Sequence, residues 1–339
     1  NIRVDVRGRE VLRILPRIHE DVNEEWITDK ARYIIDGLSR QRIDRPYVRI
    51  DGKLKPASWD EAFAAIKGKV SSLKGSEIAA ISGDLNDAES MLALKDLMTN
   101  LGSENIDCRQ DGAKIDGSSR SSYLFNTSIA GIEEADAVLL VGTNPRWDAA
   151  LINTRLRKRF LEGGFKVGMI GEASDLTYDY EYLGAGPDTL KEVASGKNSF
   201  AKVLKDAKKP MIIVGMGALS RDDGAAVLAE AKKISDKFDL VLEDWNGFNV
   251  LHTAASRVAA LDLGLVPGKN GLDVAGILEG SESGEIKAVY LLGADEVDTS
   301  KLKDTFVIYQ GHHGDAGASV ADVILPGAAY TEKNGTYVN

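Results

Sequence analysis

The 339-residue chain contains one cysteine, Cys108. That excludes an internal disulfide and any cluster that several thiolates of this chain would have to hold. Arg109 beside it could lower the thiol pKa, but a lone Cys opening a segment reads as an inert packing residue. Long apolar runs are also missing. None approaches the roughly 20 residues that cross a bilayer, so direct membrane insertion is not expected. Basic charge is in deficit, with 42 Lys and Arg against 52 Asp and Glu and a net charge of −10. Binding nucleic acid needs a basic face for the phosphate backbone, so that class of partner is not expected either. There is no G-x-S-x-G elbow, no Walker loop and no H-E-x-x-H. No secretory signal is visible, and the chain starts at Asn1 instead of Met, so a piece of a longer polypeptide is expected.

What is present is the composition of a soluble globular protein, 43% hydrophobic and 28% charged. The length suits two or three domains. Charge is unevenly spread: residues 1–50 hold eleven Lys and Arg against nine Asp and Glu. Such a start reads either as a solvated arm or as a face for an acidic partner.

Residues 1–18 alternate apolar and charged positions around Arg7-Gly8, the pattern of a hairpin. Residues 19–55 show no sustained period and read as irregular. Ser58-Trp-Asp-Glu61 is a capping box that opens a helix with Ala62, Phe63, Ile66 and Val70 on its apolar face. Strands then follow at 77–83, 105–109, 135–142 and 165–171, with helices at 89–102 and near 148–162 between them. Polar, Gly-rich residues 172–198 read as a boundary. A second run has strands at 211–215 and 239–244, helices over 222–237 and near 272–279, then the segment KAVYLLGADEVD at 287–298, with 305–310 and 321–326 closing the chain. Strands alternating with helices at this spacing predict an α/β fold of two doubly wound, Rossmann-like parallel-sheet units. The expected division is a small N-terminal β/irregular segment at 1–55, a first unit at 56–175, a second at 176–285, and strands at 286–339 completing the first.

Two segments, DAVLLVGTNPRWD and KAVYLLGADEVDT, each run a strand into a Gly at the same place. Both loops are candidates for a dinucleotide cleft. In the first, Gly142 allows close backbone approach, Asn144 tolerates a tight turn, Pro145 follows, and Arg146 supplies a cation. A plain strand-to-helix turn would use the same residues. In the second, Gly293 is followed by Asp295 and Glu296, which put negative charge where a phosphate needs donors. Gly215 and Gly217, in G-M-G-A-L-S, approach the G-x-G-x-x-G pattern but Ser220 replaces its last glycine. His312-His313 suggests a metal, yet adjacent histidines on a loop usually diverge and no further His is near, so a loop role is expected.

The stretches GREVLRILPRIHEDVNEEWITDKARYIIDGLSRQRIDRP, VGTNPRWDAALINTRLRKR and GHHGDAGASVADVILPGAAYTEKNGTYVN together resemble the large iron–sulfur subunit of NADH:quinone oxidoreductase, respiratory complex I. The resemblance runs over essentially all 339 residues. It implies the paired α/β architecture of the molybdopterin oxidoreductase superfamily. Catalytic members carry N-x-G-x-L-C-x-K-G-R, whose Cys is the last ligand of a [4Fe–4S] cluster. Here Asn23, Lys30 and Arg32 match, while Thr28 stands in place of the Cys, which implies that the cluster is absent. Gly142, Asn144 and Pro145 match the first pterin-dinucleotide loop. Asp295-Glu296 replaces the Asn-Pro of the second, which implies vestigial loops, expected to be empty, and no catalytic residue or metal in this fragment. The resemblance places [2Fe–2S] and [4Fe–4S] clusters upstream of Asn1, in a parent subunit that relays electrons from NADH toward quinone. The implied partners are other peripheral-arm subunits, and the implied place is peripheral to the inner membrane, on the bacterial cytoplasmic or mitochondrial matrix side. Arg40, Arg42 and Arg45, in the basic start, are expected on the packing surface. Two rival readings are an active molybdopterin oxidoreductase of the formate dehydrogenase type and a nucleotide-binding enzyme using Gly215 and Gly217.

Overall fold

The computed structural model describes all 339 residues. In chain order the strands are β1 (Ile2–Arg7), β2 (Glu10–Pro16), β3 (Tyr47–Ile50), β4 (Lys53–Pro56), β5 (Ile78–Ser82), β6 (Asn105–Asp107), β7 (Ala137–Val141) and β8 (Lys166–Ile170). They continue with β9 (Glu181–Gly184), β10 (Pro210–Gly215), β11 (Val241–Leu242), β12 (Trp245–Asn246), β13 (Phe248–Leu251), β14 (Ala288–Leu292), β15 (Phe306–Gly311) and β16 (Val323–Pro326). The chain forms two units. One comprises Asn1–Ile35 with Ala113–Thr253, the other Asp36–Gly112 with Ala254–Asn339.

The first unit holds a five-stranded parallel sheet in the order β13-β10-β7-β8-β9. Numbered by appearance the order is 3-2-1-4-5 with β10 and β13 on one side of β7, a doubly wound arrangement whose winding reverses between β7 and β10. Every residue of β7 and β10 is buried, which explains their unbroken apolar runs: a central parallel strand is covered on both faces. Ile152 and Leu156 of the Ala150–Leu161 helix pack on Val138 and Leu140 of β7. The β1–β2 hairpin turns at Gly8, which has φ +64°. Its following loop is built around buried Asn23, whose amide donates to the carbonyls of Arg17 and Trp26 at 3.0 and 3.1 Å. Buried Arg155 donates to Glu133 and to the Glu20 carbonyl, and Lys158 reaches Glu24 at 2.8 Å and Glu133 at 3.0 Å, so helix 150–161 holds this N-terminal segment.

The second unit has the sheet β4-β3-β16-β15-β14-β5-β6. In its parallel part, β16-β15-β14 lie on one side of β5 and β6 on the other, so the winding reverses between β5 and β14. One face packs Ile81, Val289, Leu291 and Val307 against Ile277 of the Val274–Ser283 helix. The Ser58 capping box is present: Ser58 Oγ accepts from Glu61 N at 3.2 Å and Glu61 Oε2 accepts from Ser58 N at 2.8 Å.

Four expectations need correction. Residues 19–55 include β3 and β4, joined through Asp51 (φ 52°) and Gly52 (φ 75°), the left-handed pair of a type I′ turn. Residues 172–198 are no boundary, because β9 is the fifth strand of the first unit's sheet and Pro187–Ser195 is a helix with Leu190 and Val193 buried. Of 239–244 only Val241–Leu242 is strand, paired with Trp245–Asn246, and β13 takes the place in the sheet. The divisions at 55, 175 and 285 also move. β5 and β6 share a sheet with β14–β16, while β7 and β8 share one with β10 and β13, so both units are discontinuous in sequence.

Candidate dinucleotide crevices

In a doubly wound sheet the ligand crevice opens at the carboxyl ends of the strands where the winding reverses. In the first unit that is the end of β7 and β10, and a cavity of about 710 Å³ lies there. Gly142 leaves β7 with φ +56°, its N–H donating to the Ile170 carbonyl at 2.9 Å. Glycine is needed because a Cβ here would stand 2.4 Å from that of Ala218. Gly215 and Gly217 serve the same seam: a Cβ on Gly217 would lie 2.7 Å from the Gly142 carbonyl oxygen. These glycines therefore let two backbones meet, which accounts for the near-match to a nucleotide fingerprint.

Most polar groups of this loop are engaged. Asp148 Oδ2 accepts from Thr143 Oγ1 at 2.8 Å and from the Asn144 N–H at 3.0 Å. Arg146 donates to Asp175 Oδ2 at 2.7 Å and to the Asp175 carbonyl at 3.0 Å. Arg221, also lining the cavity, pairs with Asp223 at 2.7 Å. Pro145 is buried at the start of the one-turn helix Pro145–Asp148. The Asn144 side-chain oxygen is buried without a partner, and it is an acceptor, the wrong polarity for a phosphate.

In the second unit the corresponding cavity, of about 310 Å³, is lined by Asp84, Asn86, Gly293, Asp295, Glu296 and Lys333 among others. Gly293 has φ +55°, close to the +56° of Gly142, and its N–H donates to the Gln310 carbonyl at 2.7 Å. Asp295 is a structural acceptor, taking the Tyr309 hydroxyl at 2.8 Å and the Gly317 N–H at 2.6 Å. Burial, then the charge of Asp84, raise the Glu296 carboxyl above the ordinary range, and Gln110 donates to it. Lys333 pairs with Asp87. Buried Arg257 ties the loops after β5 and β6 together, reaching Asp84 at 3.0 Å and Asp111 at 2.8 Å. None of these long-range pairs is visible in a linear motif.

Other singled-out residues have clear places. Thr28 caps the Asp29–Tyr33 helix, its hydroxyl accepting from Ala31 N at 3.1 Å. Cys108 is buried, and burial pushes its thiol up to about 12, with Asp107 adding to the effect. His312 and His313 do not diverge: their Nδ1 atoms approach to 2.5 Å, and His313 Nε2 sits 2.6 Å from the Gly37 carbonyl. Arg42 is half-buried and committed to the fold, bidentate on Glu332 at 2.8 and 2.5 Å and bonded to the carbonyls of Leu38 and His312. Arg45 pairs with its exposed neighbour Asp44 at 2.7 Å. Arg40, Arg42 and Arg45 therefore do not form one free basic surface.

A family model described as molybdopterin oxidoreductase matches residues 42–339. The chain belongs to the molybdopterin oxidoreductase family. Residues 1–36 match a second family model, the NADH-ubiquinone oxidoreductase NDSU1/NuoG-like 4Fe-4S domain. Over its whole length the chain is 50% identical to the mitochondrial NADH dehydrogenase [ubiquinone] iron-sulfur protein 1 of Solanum tuberosum, covering 45% of that protein. It is 47% identical to the NADH-quinone oxidoreductase G subunit of Rickettsia bellii, covering 48% of it, and 49% identical to that of Rickettsia conorii, covering 49%. The chain spans about half the length of these relatives. Among solved structures, the acetylene hydratase of Pelobacter acetylenicus superposes with a TM-score of 0.68 at 13% identity, over 98% of this chain and 62% of that one. That likeness concerns the fold. No helix is long and apolar enough to cross a membrane.

This family implies a pterin dinucleotide, and residues 1–36 imply a cluster. A diphosphate needs free N–H donors and uncommitted cations. In the first crevice the Thr143 and Asn144 donors and both arginines already face carboxylates. In the second, the lining carries Asp84, Asp295 and Glu296 against one paired lysine. Residues 1–36 contain no cysteine, and the Thr28 hydroxyl is spent on a helix cap. These residues do not fit either group.

Proposed function

We propose that this chain is a non-catalytic scaffold within the large iron–sulfur subunit of an NADH:quinone oxidoreductase. The observation that carries the reading is identity near 50% along all 339 residues to proteins named as that subunit. In the parent subunit, iron–sulfur clusters held outside these residues relay electrons from NADH toward quinone. The two α/β units keep the architecture of a pterin enzyme and serve to stabilise and dock the peripheral arm. Gly142, Asn144, Pro145 and Gly293 are then vestigial dinucleotide loops that carry backbone geometry without a ligand. The partners are other peripheral-arm subunits, on the cytoplasmic or matrix side of the inner membrane.

Metal analysis of the purified full-length subunit in its complex tests this reading. Iron without molybdenum or tungsten is the expected result. Stoichiometric molybdenum or tungsten would overturn it in favour of an active molybdopterin oxidoreductase.

A further inference from the structure

We infer that carboxylates of the chain itself stand in for ligand phosphates in the first unit's crevice, with Asp148, Asp175 and Asp223 holding the groups a diphosphate would contact. This rests on the scaffold reading above and adds how the crevice is kept from an anion.

The geometry is specific to each carboxylate. Asp148 reaches back over one helical turn, and a single oxygen, Oδ2, receives both the Thr143 hydroxyl and the Asn144 N–H, at 2.8 and 3.0 Å. Thr143 is buried, so its hydroxyl has little access to water as an alternative partner. Arg146 is drawn onto Asp175, which lines the same cavity and whose backbone carbonyl and side chain it contacts together. Arg221 is held by Asp223 through two nitrogens, at 2.7 and 3.1 Å. Glu172 also lines the cavity, so its ionisable lining is Arg146 and Arg221 against Asp148, Glu172 and Asp175. An incoming diphosphate must displace three carboxylates and then sit beside Asp148, Glu172 and Asp175, which line the cavity. A neutral molecule meets no such opposition, so the crevice discriminates by charge although it is roomy. Glycine positions and strand order are preserved, and the barrier lies in three side chains.

Exposed ion pairs are individually weak, so removing the three carboxylates together is what should be felt, as a change of about tenfold in affinity. The test is calorimetric titration of the intact subunit with inorganic pyrophosphate. It compares the natural protein, Asp148→Asn alone, and the triple variant Asp148→Asn, Asp175→Asn, Asp223→Asn. Little or no binding at millimolar pyrophosphate is expected for the natural protein. About tenfold tighter binding is expected for the triple variant, with Asp148→Asn intermediate, and Asp148→Glu should restore exclusion. Equal affinity in natural and variant proteins, with unchanged melting temperatures, would sink the inference. If the triple variant does not fold, the Asp148→Asn comparison decides alone. A separate titration with guanosine diphosphate guards the underlying reading. Micromolar binding by the natural protein would overturn the scaffold reading itself, whereas failure of the variants to gain affinity overturns the carboxylate argument and leaves that reading intact.

Discussion

Gly83 and Gly293 meet backbone to backbone: a Cβ on Gly83 would stand 1.8 Å from the Gly293 carbonyl oxygen. The contact joins the ends of β5 and β14, where the winding of the second unit reverses, and Gly83 N donates to the Leu292 carbonyl at 2.8 Å. Neither side can yield, because both are backbone held in the sheet. Gly83→Ala is expected to cost about 3 kcal/mol through overpacking. Gly68→Ala, inside a helix with nothing within 4 Å of the new methyl, should instead stabilise by roughly 0.5–1 kcal/mol. Urea denaturation of the two variants checks the contrast. Similar midpoints would mean the seam is looser than its geometry.

Arg42 separates folding from partner binding in the basic start. Its guanidinium joins Leu38, His312 and Glu332, residues up to 290 positions away. Arg42→Glu removes the side-chain donor to the Leu38 carbonyl, leaves the His312 carbonyl with the Ile43 N–H alone, and faces Glu332 with a like charge. It should cost about 2 kcal/mol or more and expose residues 36–46 to proteolysis. Arg45→Glu, in an exposed pair, should leave stability essentially unchanged. An assembly defect in Arg45→Glu with normal stability would mark a docking surface, whereas one in Arg42→Glu alone would report folding.

The central strands and the Ser58 cap were legible because their signals are local: an all-apolar run for a strand covered on both faces, a Ser-x-x-Glu for a reciprocal cap. Both crevice glycines stand at strand ends with left-handed φ, +56° and +55°, whereas Asn144, the residue read as tolerating the turn, has φ −112°. The β3–β4 hairpin was missed although Asp51-Gly52 announces it, since each arm has only four residues and no apolar alternation stands out. β9 was hidden by exposed Glu181 and Tyr182 at a sheet edge. The carboxylate partners could not be read at all. Asp175 lies 29 residues from Arg146, and nothing in a linear pattern says which acid a given arginine will meet.

Arg257 should be the most costly charge to delete. Its side chain has no exposed surface and pairs with Asp84 and Asp111, drawing two loops onto the Arg257–Asp262 helix. Removing the cation leaves two neighbouring carboxylates uncompensated, so Arg257→Ala is expected to destabilise by about 3–5 kcal/mol. Lysine keeps the charge but cannot span both acids with a fork, so Arg257→Lys should recover only part of that loss. Denaturation midpoints of the two variants settle the order. Equal stability of alanine and lysine would show that the charge contributes nothing.

Cys108 should be chemically silent in the native protein. It is 3% exposed, and burial with Asp107 nearby pushes its thiol up to about 12, so thiolate is scarce at neutral to mildly alkaline pH. A disulfide-exchange reagent under those conditions should label only a small fraction of the thiol in native protein. Labelling should be complete in denaturant. Rapid stoichiometric labelling without denaturant would contradict the packing role.

Asp87 links acid stability to the second unit. Burial favours its neutral form, but the Lys333 ammonium and the N–H and hydroxyl of Ser90 outweigh this and hold its carboxyl at about 2, below the ordinary 3.8. Because the folded value lies below the unfolded one, the group adds stability that is fully present above about pH 4. That contribution, at most about 2 kcal/mol, fades as pH falls from about 4 toward about 2. Lys333→Met should lift the folded value toward the ordinary range and lower stability at neutral pH. The difference between the natural and Lys333→Met proteins should then shrink across that acidic window, as the carboxyl protonates in both. Unfolding free energies measured there test the sign, and a gap that widens on acidification would refute the pairing.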